Sequence, residues 1–580
     1  MPQSPASQQS PTSAKLQSLL GSDSAVYAQL IPDLAGLFDQ VRELPEVSAS
    51  LLQWRYFARR VYGEEAINES LFLRHTYLAL IARFVARLFL VPGSTPFSWS
   101  DLGEVVLGDF FRRRAIDNFI EDDFFTWPLK SPDLAASAQD WLNRLVQPLL
   151  AFDFSQPEPN LLQALYQDLA AIDSRSNPTA SVTATPDWLA EYLLDQPLGL
   201  SSAPDQRVLD PCCGSGTFLY QSLRLIGQAR AQRGEDSFEI LINLLDQVMG
   251  LEINPVAVTV ARVSYLLALG NLVKEEHPSI LVPVYLGDYS QVPVELKPDR
   301  STTTSANPTY QFSTHTGLPA FTIPHVVANN LEMLDWLFAR LPNYLRGAEL
   351  RVLAQRRDEA IQEVLNAFHN YLVSPKPRTP IPEPLDGPAA ADLEHTARTL
   401  LELYLSGQGQ LWLYILKNLP ATVYLAQRKF DVVVCHPPGT ARSAIPELLP
   451  EGTPAPLGAD AAPDLPNLIN IISHRFLNSG GRLGLLLPRE AGAAAGIEAL
   501  LQPADGESGA TTLGLECLAD FSSVAGLSEP TDPGLAAVYG PGSDPPDKVT
   551  HFRGNAPENT ATWREALEKL QSEQRPYSGW

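Results

Sequence analysis

Two patterns of apolar positions follow each other along the chain. From about Ala14 to Leu165, apolar side chains recur every three or four residues, as they do between Leu71 and Leu88. This spacing is typical of helices that bury one face. From Val208 onward, short apolar runs end in a glycine or an acidic residue and lead into helical stretches. That alternation predicts βαβ units and a parallel sheet.

Breaks in these patterns predict how the chain is organised. The run Ser374–Pro388 carries six prolines and is typical of an extended linker. The runs Phe430–Gly439 and Gly481–Glu490 are expected to add two strands to the sheet. We therefore predict a disordered tail (1–15), an N-terminal helical domain (16–165), the first half of an α/β core (166–300), a helical insertion with a Pro-rich linker (301–400), the second half of the core (401–505) and a C-terminal segment (506–580).

Composition narrows the classes of function. The chain has 42 Lys and Arg against 66 Asp and Glu, a net charge of −24, which excludes a uniformly basic coat for nucleic acid but not a local basic groove. Its 4 cysteines lack zinc-finger or redox spacing, so we expect a reducing compartment and no metal site. The apolar run from Leu71 to Pro92 holds three arginines and a histidine, which favours a buried helix over a membrane span. We expect a cytoplasmic protein without membrane contact.

The most specific motif is the string from Val208 to Leu219, VLDPCCGSGTFL. A buried strand is expected to end at Asp210, and a glycine turn to lead into a helix that begins near Thr217. Glycines let the backbone approach a ligand, and the first turn of a helix offers free N–H groups. The motif has no P-loop lysine, which argues against a nucleoside triphosphate site.

This string resembles motif I of S-adenosylmethionine-dependent DNA adenine-N6 methyltransferases of the gamma type. Later segments are similar to the family's next two strands, in family order: GLEINPVAV (250–258) and PVYLGD (283–288). Upstream, TPDWLAE (185–191) is similar to the Thr-Pro motif that precedes motif I. The strings LFLRHTYL (71–78) and DNFIEDDFF (117–125) resemble the helical domains of large type I, type ISP and BREX- or DISARM-like defence methyltransferases.

The resemblance implies a Rossmann-like class I methyltransferase sheet with an N-terminal helical domain, and S-adenosyl-L-methionine as cofactor. It implies that Glu252 binds the ribose hydroxyls, that Asp288 binds the adenine amino group, and that Asp210 and the glycine turn hold the methionine end. The full cofactor set that it implies is Thr185, Pro186, Asp210, Gly214, Gly216, Thr217, Phe218, Glu252 and Asp288. It implies no metal site.

The catalytic motif departs from the family. Family members carry Asn-Pro-Pro followed by an aromatic residue, whereas this chain has His436, Pro437, Pro438 and Gly439. A glycine forfeits base stacking of roughly 1–3 kcal/mol, and loss of an oriented polar group at comparable sites costs about 10²–10³ in rate. A neutral histidine nitrogen can still accept one hydrogen bond. The aromatic that usually precedes Thr-Pro is Ala184 here, which puts cofactor affinity in doubt as well.

Three interpretations stay open. In the first, the chain is a degenerate methyltransferase that serves as a scaffold or cofactor-binding subunit of a defence complex and reaches DNA through other protein subunits. In the second, it methylates adenine in DNA, and a partner supplies specificity. The third is methylation of another planar nitrogen, in RNA or in a protein glutamine. The acidic balance, the HPPG motif and a Gly/Pro-rich end without a full target-recognition domain favour the first, so whether the chain is an enzyme stays undecided.

Overall fold

The structure is a computed structural model of the 580-residue chain. It describes residues 9–92, 97–170, 185–289, 294–296, 309–312, 320–338, 341, 356–375, 381, 383–385, 387–437, 472–488, 513–525, 527, 533–541, 547–555 and 562–576. The tail at 1–8, the aromatic-to-alanine change at Ala184 and the motif positions Pro438 and Gly439 lie outside the described residues.

Helices form most of the chain before the first strand and also separate the early strands. The α-helices are α1 (Ser13–Leu20), α2 (Ala25–Val41), α3 (Pro45–Tyr62), α4 (Glu69–Leu90), α5 (Trp99–Leu107), α6 (Asp109–Arg112), α7 (Ala135–Val146), α8 (Gln163–Ala170), α9 (Asp187–Asp195), α10 (Thr217–Gln232), α11 (Ser237–Gln247), α12 (Pro255–Leu269), α13 (His325–Ala328), α14 (Leu331–Phe338), α15 (Arg357–Val373), α16 (Gly387–Leu405), α17 (Gly409–Asn418), α18 (Ala421–Arg428) and α19 (Trp563–Glu568).

The strands fall into two sheets. They are β1 (Val208–Asp210), β2 (Val248–Glu252), β3 (Val284–Leu286), β4 (Val294–Leu296), β5 (Thr309–Phe312), β6 (Phe321–Pro324), β7 (Phe430–Cys435), β8 (Leu477–Pro488), β9 (Leu513–Ala525), β10 (Pro533–Pro541), β11 (Lys548–Asn555) and β12 (Gln571–Pro576). Among the described residues, the large sheet has the order β3-β2-β1-β7-β8-β10-β9-β11-β12, and β4, β5 and β6 form a separate antiparallel sheet.

The centre of the large sheet is parallel, as the sequence predicted. Strands β3, β2, β1, β7 and β8 pair in parallel, with Val208 beside Val248 on one side and Val432 on the other. Their apolar side chains are buried, which suits strands covered by helices on both faces. Strand β10 then runs antiparallel between β8 and β9. This order, with the antiparallel β10 between β8 and β9, confirms the expected Rossmann-like class I methyltransferase sheet.

The sheet continues well beyond the strands that were expected. Strand β9 pairs with β10 and β11, and β12 closes the edge against β11. The aromatic rings of Phe521 and Phe552 stack on neighbouring strands at 4.6 Å, and Trp563 packs on Tyr192 of α9. The described strands after residue 512 therefore extend the large sheet, and Trp563 packs against α9.

The N-terminal helices pack directly on the core. Helix α4 is buried on nearly every side, and its Arg83 is fully buried and paired with Asp123 at 2.6 Å. The loop after α6 joins the sheet, because the side chain of Asn118 exchanges two hydrogen bonds with the backbone of Val282, at 3.0 and 2.7 Å. The segment 117–125, DNFIEDDFF, thus joins the N-terminal helices α1–α8, which we call the helical layer, to the chain just before β3.

Within the described residues, one helical stretch, Pro255–Val273, is long and apolar enough to cross a membrane by composition alone. Of its apolar window, 78% is buried inside the protein, where α12 packs between α4 and α10. This burial is typical of a core helix. The run from Leu71 to Pro92, which the sequence assigned to a buried helix, is buried as expected.

Candidate functional site

Acidic and polar side chains meet where the parallel strands end. Asp210 is the last residue of β1, Glu252 is the last of β2, Asp288 follows β3 by two residues, and His436 follows β7. Because these are neighbouring parallel strands, their carboxyl ends lie at the same edge of the sheet, where open α/β sheets bind ligands. We call Asp210, Glu252, Asp288 and His436 the strand-end site.

The glycine turn has the backbone shape that the sequence predicted. Gly214 has φ +52°, and Gly216 has φ +90° and caps the N-terminus of α10, which begins at Thr217. A Cβ atom on Gly216 would lie 3.2 Å from Cα of Ala261 in α12, whereas a Cβ on Gly214 would meet nothing within 4 Å. The turn therefore needs glycine at 216 for close packing, and it leaves open space beside Gly214. Phe218 is buried in the core below the turn.

Glu252 fastens the glycine turn to the end of β2. Its two carboxylate oxygens accept hydrogen bonds from the backbone N–H groups of Gly214 and Asn254, each at 2.8 Å. Each oxygen still has a lone pair for another donor. Burial raises the pKa of Glu252, and the charge of Asp288 raises it further, against the backbone hydrogen bonds that lower it.

Asp210 is buried with its charge close to that of Glu252. It is 2% exposed and accepts one hydrogen bond from the backbone N–H of Cys212 at 3.2 Å. Burial raises the pKa of Asp210 well above its ordinary value, and the Glu252 charge adds to the effect. Within the described parts of the chain, neither carboxylate has a cationic side chain within salt-bridge distance. A ligand that brings positive charge to this edge would therefore be favoured.

His436 is held by the Thr-Pro motif. Oγ1 of Thr185 lies 3.0 Å from Nδ1 of His436, and both side chains are buried. The backbone carbonyl of Thr185 in turn accepts a hydrogen bond from the Gln163 side chain at 2.7 Å, and Pro186 caps the N-terminus of α9. Burial lowers the pKa of His436 to about 4, so its ring is neutral at pH 7.

Two cysteines lie at the ends of the same strands: Cys435 is the last residue of β7, and Cys212 follows β1 by two residues. The interaction of Cys212 with Cys435, together with burial, raises the pKa of the Cys212 thiol well above its ordinary value. All four cysteines are free thiols. Pro437 is buried directly after His436. The structure therefore brings the ends of β1 and β7 together, as the motif order implied.

A chain of buried polar groups connects the helical layer to this site. The Trp54 indole donates to Nδ1 of His75 at 3.1 Å, and Nε2 of His75 lies 3.4 Å from the Tyr62 hydroxyl. That hydroxyl accepts a hydrogen bond from the Asn254 side chain at 2.8 Å, next to Glu252. Burial lowers the pKa of His75 to about 3, which keeps the ring neutral. The string LFLRHTYL, which contains His75, thus supports the loop after β2.

Sequence reasoning missed two members of this environment. Asn254 links Glu252 to the helical layer, and its place directly after the strand-ending acid was an available signal. Arg60, in the last turn of α3, donates from Nη1 to Oδ2 of Asp288 at 2.8 Å. The two residues are 228 positions apart, and nothing in the local sequence marks Arg60 as part of the site.

A comparison with curated proteins finds a relative that matches part of this chain by sequence. The adenine-specific methyltransferase PglX of Streptomyces coelicolor is 27% identical over 177 residues. This segment of the chain is similar to part of an adenine-specific methyltransferase. The matched part is 28% of this chain and 14% of PglX, so the chain spans a small fraction of that relative. No family model matches the chain.

Solved structures of restriction-modification proteins are also similar. The type ISP enzyme LlaBIII bound to DNA is 9% identical, with 94% of this chain and 31% of LlaBIII covered at a TM-score of 0.40. A type I methyltransferase subunit from Streptococcus thermophilus is 14% identical, with 91% and 87% covered at a TM-score of 0.34. The fold of this chain is established by its own strand order.

Proposed function

We propose that the chain is a methyltransferase-like subunit of a bacterial phage-defence or restriction-modification system. It holds S-adenosylmethionine at the strand-end site and acts as a scaffold or cofactor-binding subunit in which adenine methylation is weak or lost. One observation carries this proposal: Asp210, Glu252 and His436 end adjacent parallel strands at one edge of the sheet. The homology to PglX supports the choice of reaction family.

The residues present fit this cofactor. The open space at Gly214 and the first turn of α10 offer room and N–H groups for the methionine end. In this proposal, Glu252 binds the ribose hydroxyls and Asp288 binds the adenine amino group. Asp210 and Glu252 are buried without a cationic partner among the described side chains, and the sulfonium and ammonium of S-adenosylmethionine would supply positive charge. When bound, the cofactor supplies an electrophilic methyl group.

The direction of the hydrogen bond between Thr185 and His436 determines whether Nε2 of His436 can accept a hydrogen bond from an adenine amino group. If the Thr185 hydroxyl donates to Nδ1, then Nε2 carries the ring proton and opposes an amino donor. If Nδ1 carries the proton and donates to Thr185, then Nε2 is an acceptor and can orient the amino nitrogen. The neutral, fixed ring is the specific observation that favours the second candidate, an active adenine-N6 methyltransferase whose specificity comes from a partner.

Transfer of a labelled methyl group to DNA separates the two candidates. We expect the purified chain to transfer little or none. Robust transfer by the wild-type chain would overturn the degenerate assignment in favour of the active one.

The double variant His436→Asn with Gly439→Trp tests why activity is weak. It is expected to gain transfer if only the catalytic motif has decayed. The matched control is His436→Asn alone, which restores the amide oxygen without the stacking ring. No gain in the double variant would place the loss in the cofactor site or in the DNA groove.

Partners and location remain part of the proposal. We propose that other subunits of a defence complex bring the chain to DNA; the similarity to PglX covers 28% of this chain and 14% of PglX. Cytoplasmic location and absence of membrane contact remain predictions from composition.

A further inference from the structure

A buried arginine from the helical layer reaches the end of β3. Arg60 lies in the last turn of α3, and its side chain is only 6% exposed. Its Nη1 donates to Oδ2 of Asp288 at 2.8 Å, and the Asp288 side chain is 13% exposed. A second arginine, Arg475, also interacts electrostatically with Asp288, although burial lowers the pKa of Arg475. Positive charge therefore reaches Asp288 from two directions.

The ion pair with Asp288 does not use all the hydrogen-bond donors of the Arg60 guanidinium. Among the described residues, its Nε and Nη2 are buried without an acceptor. The guanidinium carbon lies 5.2 Å from the centre of the Tyr56 ring, one turn earlier on the same helix. A guanidinium is a planar fork of fixed donors, and buried donors without acceptors are unfavourable until a ligand satisfies them. These two N–H groups therefore point to a ligand acceptor beside Asp288.

The Asp288 carboxylate is a hydrogen-bond acceptor, and the Nε and Nη2 groups of Arg60 are donors next to it. One edge of adenine carries the complementary pair, since its amino group donates and the neighbouring ring nitrogen accepts. A 6-oxo purine places an acceptor where the amino group would be, opposite the Asp288 carboxylate. The pair therefore matches adenine and disfavours hypoxanthine.

We propose that Arg60 is a positioning residue for the adenine end of the cofactor. It holds the Asp288 carboxylate toward the amino group and donates to a ring nitrogen of the same base. This inference rests on the proposed cofactor function. It also makes α3 of the helical layer part of the cofactor site, so cofactor binding involves both parts of the fold.

The test is calorimetric binding of two ligands, S-adenosylhomocysteine and its hypoxanthine counterpart S-inosylhomocysteine. The wild-type chain is expected to prefer the adenine ligand. Arg60→Met is expected to weaken the adenine ligand by about tenfold or more and to shrink the preference. Arg59→Met is the matched control, since Arg59 lies over the same Tyr56 ring but makes no ion pair with Asp288, and it is expected to bind like the wild type.

Arg60→Lys keeps the charge and guards against a variant that does not fold. It is expected to fold, to keep the ion pair and to recover part of the affinity, but not the full preference, because lysine lacks the fork. The inference is overturned if Arg60→Lys and Arg60→Met bind the adenine ligand like the wild type, or if both ligands weaken by the same factor. Binding of neither ligand by the wild-type chain would overturn the proposed cofactor function, and this inference with it.

Discussion

Asp187 is the first residue of α9 and directly follows Thr185 and Pro186. Its side chain allows a test of how one carboxylate affects the stability of the fold. The Asp187 side chain is half-buried, and its carboxylate accepts hydrogen bonds from the side chains of Gln221 at 3.1 Å and of Asn160. Burial raises the pKa of Asp187 from 3.8 to about 6, despite those two hydrogen bonds. Asp187→Asn keeps the accepting Oδ1 and removes the buried charge.

The sign follows from proton linkage. Between pH 3.8 and about 6, folded Asp187 binds more protons than unfolded Asp187, so the free energy of unfolding falls as the pH rises through this window. Above the window, the difference between the two pKa values corresponds to roughly 3 kcal/mol of lost stability. The favourable field at a helix N-terminus offsets about 0.3–1 kcal/mol of the gain from removing the charge. The new amide also has an acceptor on Asn160, whose Oδ1 is buried without a partner among the described residues.

Thermal melting followed by circular dichroism measures the effect. At about 2 °C per kcal/mol for large domains, Asp187→Asn is expected to melt roughly 4–6 °C above the wild type at pH 7.5. The gap is expected to close toward pH 4. The control is Asp101→Asn, because hydrogen bonds from Ser98 lower the pKa of Asp101 and its loss should reduce stability at neutral pH. A lower melting point for Asp187→Asn at pH 7.5 would refute the reasoning.

Two further predictions concern the site. Gly216→Ala should lower the free energy of unfolding by about 1–3 kcal/mol, because Gly216 has φ +90° and a Cβ atom there would crowd Ala261. Thermal melting should show a smaller loss of stability for Gly214→Ala, because the space beside Gly214 is open. Equal losses in the two variants would contradict this difference in packing. Since burial raises the pKa values of Asp210 and Glu252, binding of cationic S-adenosylmethionine should tighten with rising pH and release protons. Titration in buffers of different ionisation enthalpy measures that release, and none would mean that the carboxylates do not respond to the ligand.

The sequence was informative wherever a buried strand ends in a polar residue. Asp210, Glu252 and His436 could be placed at one edge of a sheet because each follows a short apolar run, and the parallel order of those runs brings their ends together. The glycine turn was predictable for the same reason, since its residue types fit a strand that turns into a helix. The order of the apolar runs therefore predicted that these side chains lie together, whereas their proposed roles came from the family resemblance.

Contacts between distant segments could not be predicted. Thr185 meets His436 across 251 positions, and Arg60 meets Asp288 across 228, so no local spacing records either pair. No strands were predicted after residue 512, where the chain is rich in glycine and proline. Pairing along the sheet edge and buried aromatic rings outweigh the weak β-propensity of those residues.

Calorimetric titration of the purified chain with S-adenosylmethionine measures whether the strand-end site binds this cofactor. We expect saturable binding at one site per chain, competed by S-adenosylhomocysteine and weakened in Arg60→Met but not in Arg59→Met. Absence of binding under conditions where the chain is folded would contradict the assignment of the strand-end site to this cofactor.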